Sequence, residues 1–237
     1  MPDQGNPGSI GRNIEAITFD AVGTLIVPYP SVGAIYSEEL SKFGYDIRPD
    51  VLENNFIKSF RQFKKDHPQA LLNKDSWRRI VATALFGLIP DHDFDKVFSA
   101  LWQRFARPEH WSILPGVEET LHKLRSAGLR LFVLSNNDER LHTIFQGLVI
   151  GPYFEAIFVS SELGAEKPSR RIFDLVQIRI QVAAENILHV GDSPEEDVQG
   201  ALDAGWQAAL VGPRAATFGS TSAFKRAASV HALFCNT

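Results

Sequence analysis

Four short segments of this 237-residue chain carry residue types that can act together on phosphorus. Asp20, Gly23 and Thr24 stand in FDAVGTL, and Ser135, Asn136, Asn137 and Asp138 follow Leu134. Glu166, Lys167 and Pro168 open EKPSRRIF, and Gly191, Asp192, Ser193, Glu195, Glu196 and Asp197 lie in VGDSPEED. One such carboxylate can attack phosphorus, another can help hold a divalent cation, and a lysine with hydroxyl and amide donors can neutralise phosphate oxygens. Neighbouring carboxylates repel, and a cation together with a lysine offsets that repulsion. Mg²⁺ is the expected cofactor, because the donors are hard oxygens and the seven His are scattered along the chain.

The elements that must position these segments are legible from hydrophobic pattern. Apolar runs recur at Ile14–Phe19, Leu129–Leu134, Ala156–Val159, Ile187–Val190 and Ala208–Val211. Short, continuously apolar runs are the mark of strands buried on both faces of a parallel sheet. Val117, Leu121 and Leu124 share one helical face before Gly128; Ile172, Leu175 and Val176 mark a helix after Pro168; Val198, Ala201 and Leu202 mark another before Gly205. Alternating strands and helices predict an α/β fold, a Rossmann-like parallel sheet flanked by helices. Ligands in such sheets sit beyond the carboxyl ends of the strands, so the four segments are expected to face one cleft.

The stretch 30–112 has no convincing strand. Leu52, Phe56 and Phe60, then Trp77, Val81 and Leu85, then Phe94, Val97, Phe98, Leu101 and Phe105 fall at helical spacing, with breakers at Pro49, Pro68 and Pro90. This pattern predicts about four helices in a small bundle. The expected division is a loose tail over 1–11, an α/β core over 12–29 and 113–237, and a helical cap over 30–112. The last segment, from Arg214 on, is expected to add a helix and a terminal strand. His189, inside a predicted strand, reads as a packed residue.

Composition narrows the function classes. Lys+Arg 24 against Asp+Glu 28 give a net charge of −4, without the basic footprint of a nucleic-acid binder. Cys235 is the single cysteine, so an intramolecular disulfide and a cysteine zinc cluster are excluded. The run Ile80–Ile89, interrupted by Thr83 and Gly87, is too short to span a bilayer, and MPDQGNPGSIGRN lacks the apolar stretch of a secretory signal. The expectation is a cytoplasmic protein, monomer or homodimer, that acts on a small molecule and binds neither nucleic acid nor membrane.

The four segments, in this order and each after a predicted strand, resemble the four motifs of the haloacid dehalogenase (HAD) superfamily of hydrolases over about residues 14–212. The helical stretch after the first motif is similar to that family's inserted cap. The resemblance implies Asp20 as nucleophile, Thr24 shaping the turn beside the substrate, and Ser135 with Asn136 binding the transferring group. It implies Lys167 pairing with nucleophile and substrate charge, and Mg²⁺ held by Asp20, Asp192 and the Val22 backbone carbonyl, with Asp197 in support.

One position departs from the family's phosphatases, which usually read Asp-x-Asp. The second Asp is their general acid and base, and here it is Val22. An isopropyl group carries no proton, and such catalysis is worth ~10²–10⁴ in rate. The leading expectation is therefore a Mg²⁺-dependent phosphate-ester hydrolase with weak or atypical turnover. The alternative is a phospho-ligand-binding or regulatory protein on the same scaffold. A 2-haloacid dehalogenase resembles the first motif, but Asp192 would repel a haloacid carboxylate. Phosphonoacetaldehyde hydrolysis would need a cap lysine in an apolar setting, and none of Lys42, Lys58, Lys64, Lys65 and Lys74 shows one.

Overall fold

A computed structural model describes residues 13–68, 70–217 and 223–235. The tail expected over 1–11 lies outside them. The strands are β1 (Ala16–Phe19), β2 (Ile26–Pro28), β3 (Trp111–Ile113), β4 (Arg130–Ser135), β5 (Ala156–Val159), β6 (Ile187–Gly191), β7 (Gln207–Val211) and β8 (Lys225–Ala227). Six of them form one sheet in the order β5-β4-β1-β6-β7-β8, and β2 pairs with β3 in a second. Every pairing in the six-stranded sheet is parallel. The chain fills one side of β1 with β4 and β5, then the other with β6, β7 and β8. That reversal at β1 is where an open α/β sheet offers a crevice at its carboxyl edge.

The chain divides into two compact units: residues 1–26, 113–136 and 149–237, and residues 27–112 with 137–148. The sequence pattern placed 137–148 with the α/β core, whereas these residues group with the helical unit. The first unit is the α/β fold that the alternating pattern predicts. Its helices are α5 (Val117–Ser126), α7 (Ser160–Leu163), α8 (Arg170–Ile180), α9 (Gly200–Asp203), α10 (Pro213–Thr217) and α11 (Val230–Cys235). Ile172, Phe173, Val176 and Ile180 of α8 pack with Val198, Ala201, Trp206 and Leu210 in one core, the apolar stripe of each helix meeting the sheet. The expected terminal strand is present as β8, but α11 follows it, so the described chain closes on a helix. Among the described residues, no helix is long and apolar enough to cross a membrane.

The second unit contains α1 (Val32–Ser41), α2 (Pro49–Asp66), α3 (Lys74–Leu85), α4 (Asp91–Arg104) and α6 (Arg140–Gly147). Pro49 opens α2 and Pro90 caps α4; proline suits the first turn because its missing N–H has no intrahelical partner there. Ser31 and Asn73 side chains accept from the first-turn amides of α1 and α3. Tyr36, Leu40, Leu52, Val81, Leu85, Val97 and Leu101 form the bundle core. Arg140 ties α6 to it: its guanidinium lies 3.5 Å from the Trp102 ring centre and forks onto buried Asp138, each bond 2.7 Å.

Candidate functional site

The first unit brings together most of the residues the sequence singles out, at the carboxyl ends of β1, β4 and β6. The Asp20 amide donates to Val190 O at 2.9 Å, continuing the ladder one residue past β1. Beyond it the chain turns sharply: Leu25 and Ile26 amides both donate to Ala21 O, and Gly23 donates to Ile26 O. Gly23 sits at φ +95, and a Cβ there would lie 3.1 Å from the Asp192 carboxylate. A side chain at 23 would strain the turn and push Asp192 away. The Val22 side chain is partly exposed, and its carbonyl has no hydrogen-bond partner among the described residues.

Lys167 is the hub. Only 1% exposed, its ammonium donates to Asp20 Oδ1 at 2.9 Å, Leu134 O at 2.9 Å and Asp197 Oδ1 at 2.5 Å. Three donors for three acceptors make this burial tolerable. Ser135 Oγ donates to the same Asp20 oxygen at 3.1 Å, so Oδ1 is pinned while Oδ2 has no partner among the described residues. Burial alone would lower the Lys167 pKa, but Asp197 and Asp20 outweigh it and hold the ammonium charged.

Asp197 is reached by a local widening of the chain. Residues Pro194–Gln199 wind as a π-helical turn, capped by the Ser193 hydroxyl, which accepts from Glu196 N. Its Oδ2 accepts from Ser193 N at 2.9 Å, and its Oδ1 also accepts from His189 Nε2 at 3.1 Å. Burial alone would raise the Asp197 pKa, but Lys167 and His189 hold it well below the carboxylate range. Gly191 makes room for this carboxylate, since a Cβ there would fall 2.1 Å from Asp197 Cγ.

Asp20 and Asp192 are held the other way. Burial pushes the Asp20 carboxyl up, with the Asp197 charge adding to it against the pull of Lys167. Asp192, which accepts no hydrogen bond among the described residues, is pushed up to about 6 by burial and by the charges of Asp20 and Asp197. Three carboxylates around one ammonium leave the cluster two charges negative when all are ionised.

Comparison with known proteins gives the family of the chain. The family model described as haloacid dehalogenase-like hydrolase matches residues 14–205. The chain belongs to the haloacid dehalogenase-like hydrolases. It is 31% identical over 214 residues to the human haloacid dehalogenase-like hydrolase domain-containing protein 3, covering 85% of this chain and 84% of that one. Among solved structures, YfnB of Bacillus subtilis bound to magnesium is similar in fold, with TM-score 0.76 at 16% identity, covering 94% of this chain and 98% of that one. The L-2-haloacid dehalogenase of Xanthobacter autotrophicus with chloropropionic acid covalently bound gives TM-score 0.65 at 22% identity over 84% of this chain and 78% of that one.

The haloacid dehalogenase-like site has donors that fit a Mg²⁺ ion. Asp20 Oδ2, the Asp192 carboxylate and the Val22 carbonyl are oxygens without partners among the described residues, and burial together with neighbouring carboxylate charge raises the pKa of both Asp20 and Asp192, even against the pull of Lys167. Asp197, expected to support the metal, has both oxygens hydrogen-bonded: Oδ1 to Lys167 and His189, Oδ2 to Ser193 N. Asn136, expected beside the substrate, is hydrogen-bonded within the site. Its Nδ2 donates to Lys167 O at 2.8 Å and Glu196 Oε2 at 3.2 Å, and its Oδ1 accepts from Lys167 N at 2.8 Å. The amide is spent on clamping the lysine's backbone. Thr24 is buried, and its hydroxyl has no partner among the described residues. Two residues escaped the sequence reading. His189 looked like packing because its place in a strand hides which neighbour it bonds. Arg214, on α10, acts on Asp192 through its charge, and no motif announces it.

Proposed function

We propose that this haloacid dehalogenase-like hydrolase is a Mg²⁺-dependent phosphatase acting on a small phosphorylated molecule, with turnover limited by Val22. The observation that carries the reading is the asymmetry of Asp20: Oδ1 is held by Ser135 and Lys167 while Oδ2 has no partner among the described residues. Oδ2 attacks phosphorus, the bond to the ester oxygen breaks, and an aspartyl phosphate forms on Asp20. Lys167, held charged, offsets the negative charge that gathers there. Water then attacks the phosphorus, the bond between phosphorus and the Asp20 oxygen breaks, and the Asp20 carboxylate returns as phosphate departs with the water's oxygen and protons. Bound Mg²⁺, held by Asp20, Asp192 and the Val22 carbonyl, would supply further positive charge toward the phosphate oxygens. No proton reaches the departing ester oxygen from position 22, so leaving groups that depart as anions are favoured.

Asp192 also supports the phosphatase over a 2-haloacid dehalogenase. Its carboxylate, already crowded by Asp20 and Asp197, would repel a second organic carboxylate. The test is hydrolysis of an aryl phosphate with Mg²⁺ and with chelator. Wild type should turn over slowly and only with Mg²⁺, Asp20→Asn should be inactive, and Val22→Asp should gain about 10²-fold. Unchanged activity in Asp20→Asn would remove the nucleophile assignment.

A further inference from the structure

The site stands on a buried polar chain that runs back into the sheet through β6 and β1. Thr18 and His189 face each other across β1 and β6 as paired residues, both fully buried. Thr18 Oγ1 lies 2.8 Å from His189 Nδ1, and His189 Nε2 lies 3.1 Å from Asp197 Oδ1. Asp197 Oδ1 in turn accepts from Lys167, which reaches Asp20. The bonding fixes the direction of every proton. Asp197 Oδ1 already accepts from an ammonium, so Nε2 must carry the imidazole hydrogen. A neutral ring with its hydrogen on Nε2 has a bare Nδ1, which accepts from the Thr18 hydroxyl. Phe173 closes the ring off edge-on, with centroids 5.7 Å apart, and is itself packed on Trp206. Thr18 and His189 are both fully buried, so losing one of these partners leaves a buried polar group unpaired.

We infer that His189 is a positioning residue of this site: through its Nε2–H it holds Asp197, Asp197 holds the Lys167 ammonium, and Thr18 fixes the ring's tautomer. Without that donor, Asp197 Oδ1 keeps only Lys167, and the ammonium, still bonded to Asp20 and Leu134 O, shifts with a less firmly held third partner. The kinetic consequence rests on the phosphatase reading; the structural consequence does not.

The experiment therefore has two arms. In protein carrying ¹⁵N-lysine, a buried, triply bonded ammonium gives its own slowly exchanging ¹H–¹⁵N signal, assigned to Lys167 by its loss in Lys167→Met. His189→Phe, which keeps a flat ring and removes the donor, should shift or broaden that signal, while His189→Gln, which keeps an N–H, should restore it. Long-range ¹⁵N coupling in the wild-type imidazole should show the Nε2–H tautomer. In the second arm, aryl-phosphate kcat should fall about tenfold in His189→Phe with KM changed less than twofold, and recover in His189→Gln. A Lys167 signal unmoved by His189→Phe, an Nδ1–H tautomer, or failure of His189→Gln to restore the signal would overturn the inference. Absence of Mg²⁺-dependent turnover in both wild type and Val22→Asp would overturn the phosphatase reading alone, with the first arm still deciding the role of His189.

Discussion

Replacing Asp192 with Asn should make the metal-free protein more stable. The carboxyl is raised from 3.8 to about 6 by burial and by the charges of Asp20 and Asp197. At about 1.4 kcal/mol per unit, the ionised carboxylate costs the folded state about 3 kcal/mol at pH 8. Asn keeps the shape and removes the charge, so Asp192→Asn should recover on the order of 2–3 kcal/mol, roughly 5–10 °C in Tm for a chain of this size. The sign with pH follows from linkage: a raised folded pKa means the native state binds the extra proton, so stability rises as pH falls from about 6 toward 3.8. The advantage of the variant should therefore be full at pH 8 and vanish by about pH 4. Calorimetric melts with chelator measure it, and melts with Mg²⁺ complete the comparison. The cation should raise the wild-type Tm and move Asp192→Asn far less, because ligand binding stabilises in proportion to occupancy. The reasoning fails if the chelated variant melts below wild type, or if Mg²⁺ shifts both equally. Stability given up for a charge that function needs is the usual trade at such sites.

Three other changes probe separate parts of the molecule. Gly191→Ala puts a methyl 2.1 Å from Asp197 Cγ, and the displaced carboxylate should cost at least about tenfold in aryl-phosphate kcat while circular dichroism stays native. Arg104→Met should cost about 1–3 kcal/mol in urea unfolding at pH 7, because it leaves buried Glu39, 2.7 Å from the guanidinium, with Lys42 as its one remaining cation among the described residues. Glu38 is lowered by its bond to Arg104, and Glu39 is lowered by Lys42 and Arg104 in spite of burial. Depressed carboxylates lend stability above their unfolded pKa, so the gap to wild type should close as pH falls below 4.5. Arg140→Met leaves Asp138 buried without its fork and bares the Trp102 face, so tryptophan emission should change and stability fall by about 3 kcal/mol.

Strand pattern and punctuation were enough to place β1, β4, β5, β6 and β7, because continuous apolar runs between helical stretches admit few arrangements other than a parallel sheet. Pro49 and Pro90 divided the helices for a local reason, a ring that a helix interior does not accept; Pro49 opens α2 and Pro90 is the N-cap of α4. The same locality explains why Asp20, Ser135, Lys167 and Asp192 stood out: each follows an element whose end is visible in the chain. Neither α6, whose apolar stripe is only Leu141, Ile144 and Phe145, nor the pairing of β2 with β3 was visible in this way.

Which oxygen meets which donor is a different kind of fact. Asn136 carries the same amide whether it faces a substrate or clasps Lys167, and Asp197 is equally acidic beside a cation or between a lysine and a histidine. Those outcomes depend on distances set by the register of β1 against β6 and by the π-helical turn at Pro194–Gln199. Hydrogen bonds are decided within a few tenths of an ångström, across separations such as the 147 residues between Lys167 and Asp20. One-dimensional pattern carries residue type and local period, and it holds no coordinate for a partner so far along the chain. The residues of the site were therefore readable as a set, and their division into holders and held came from the folded geometry.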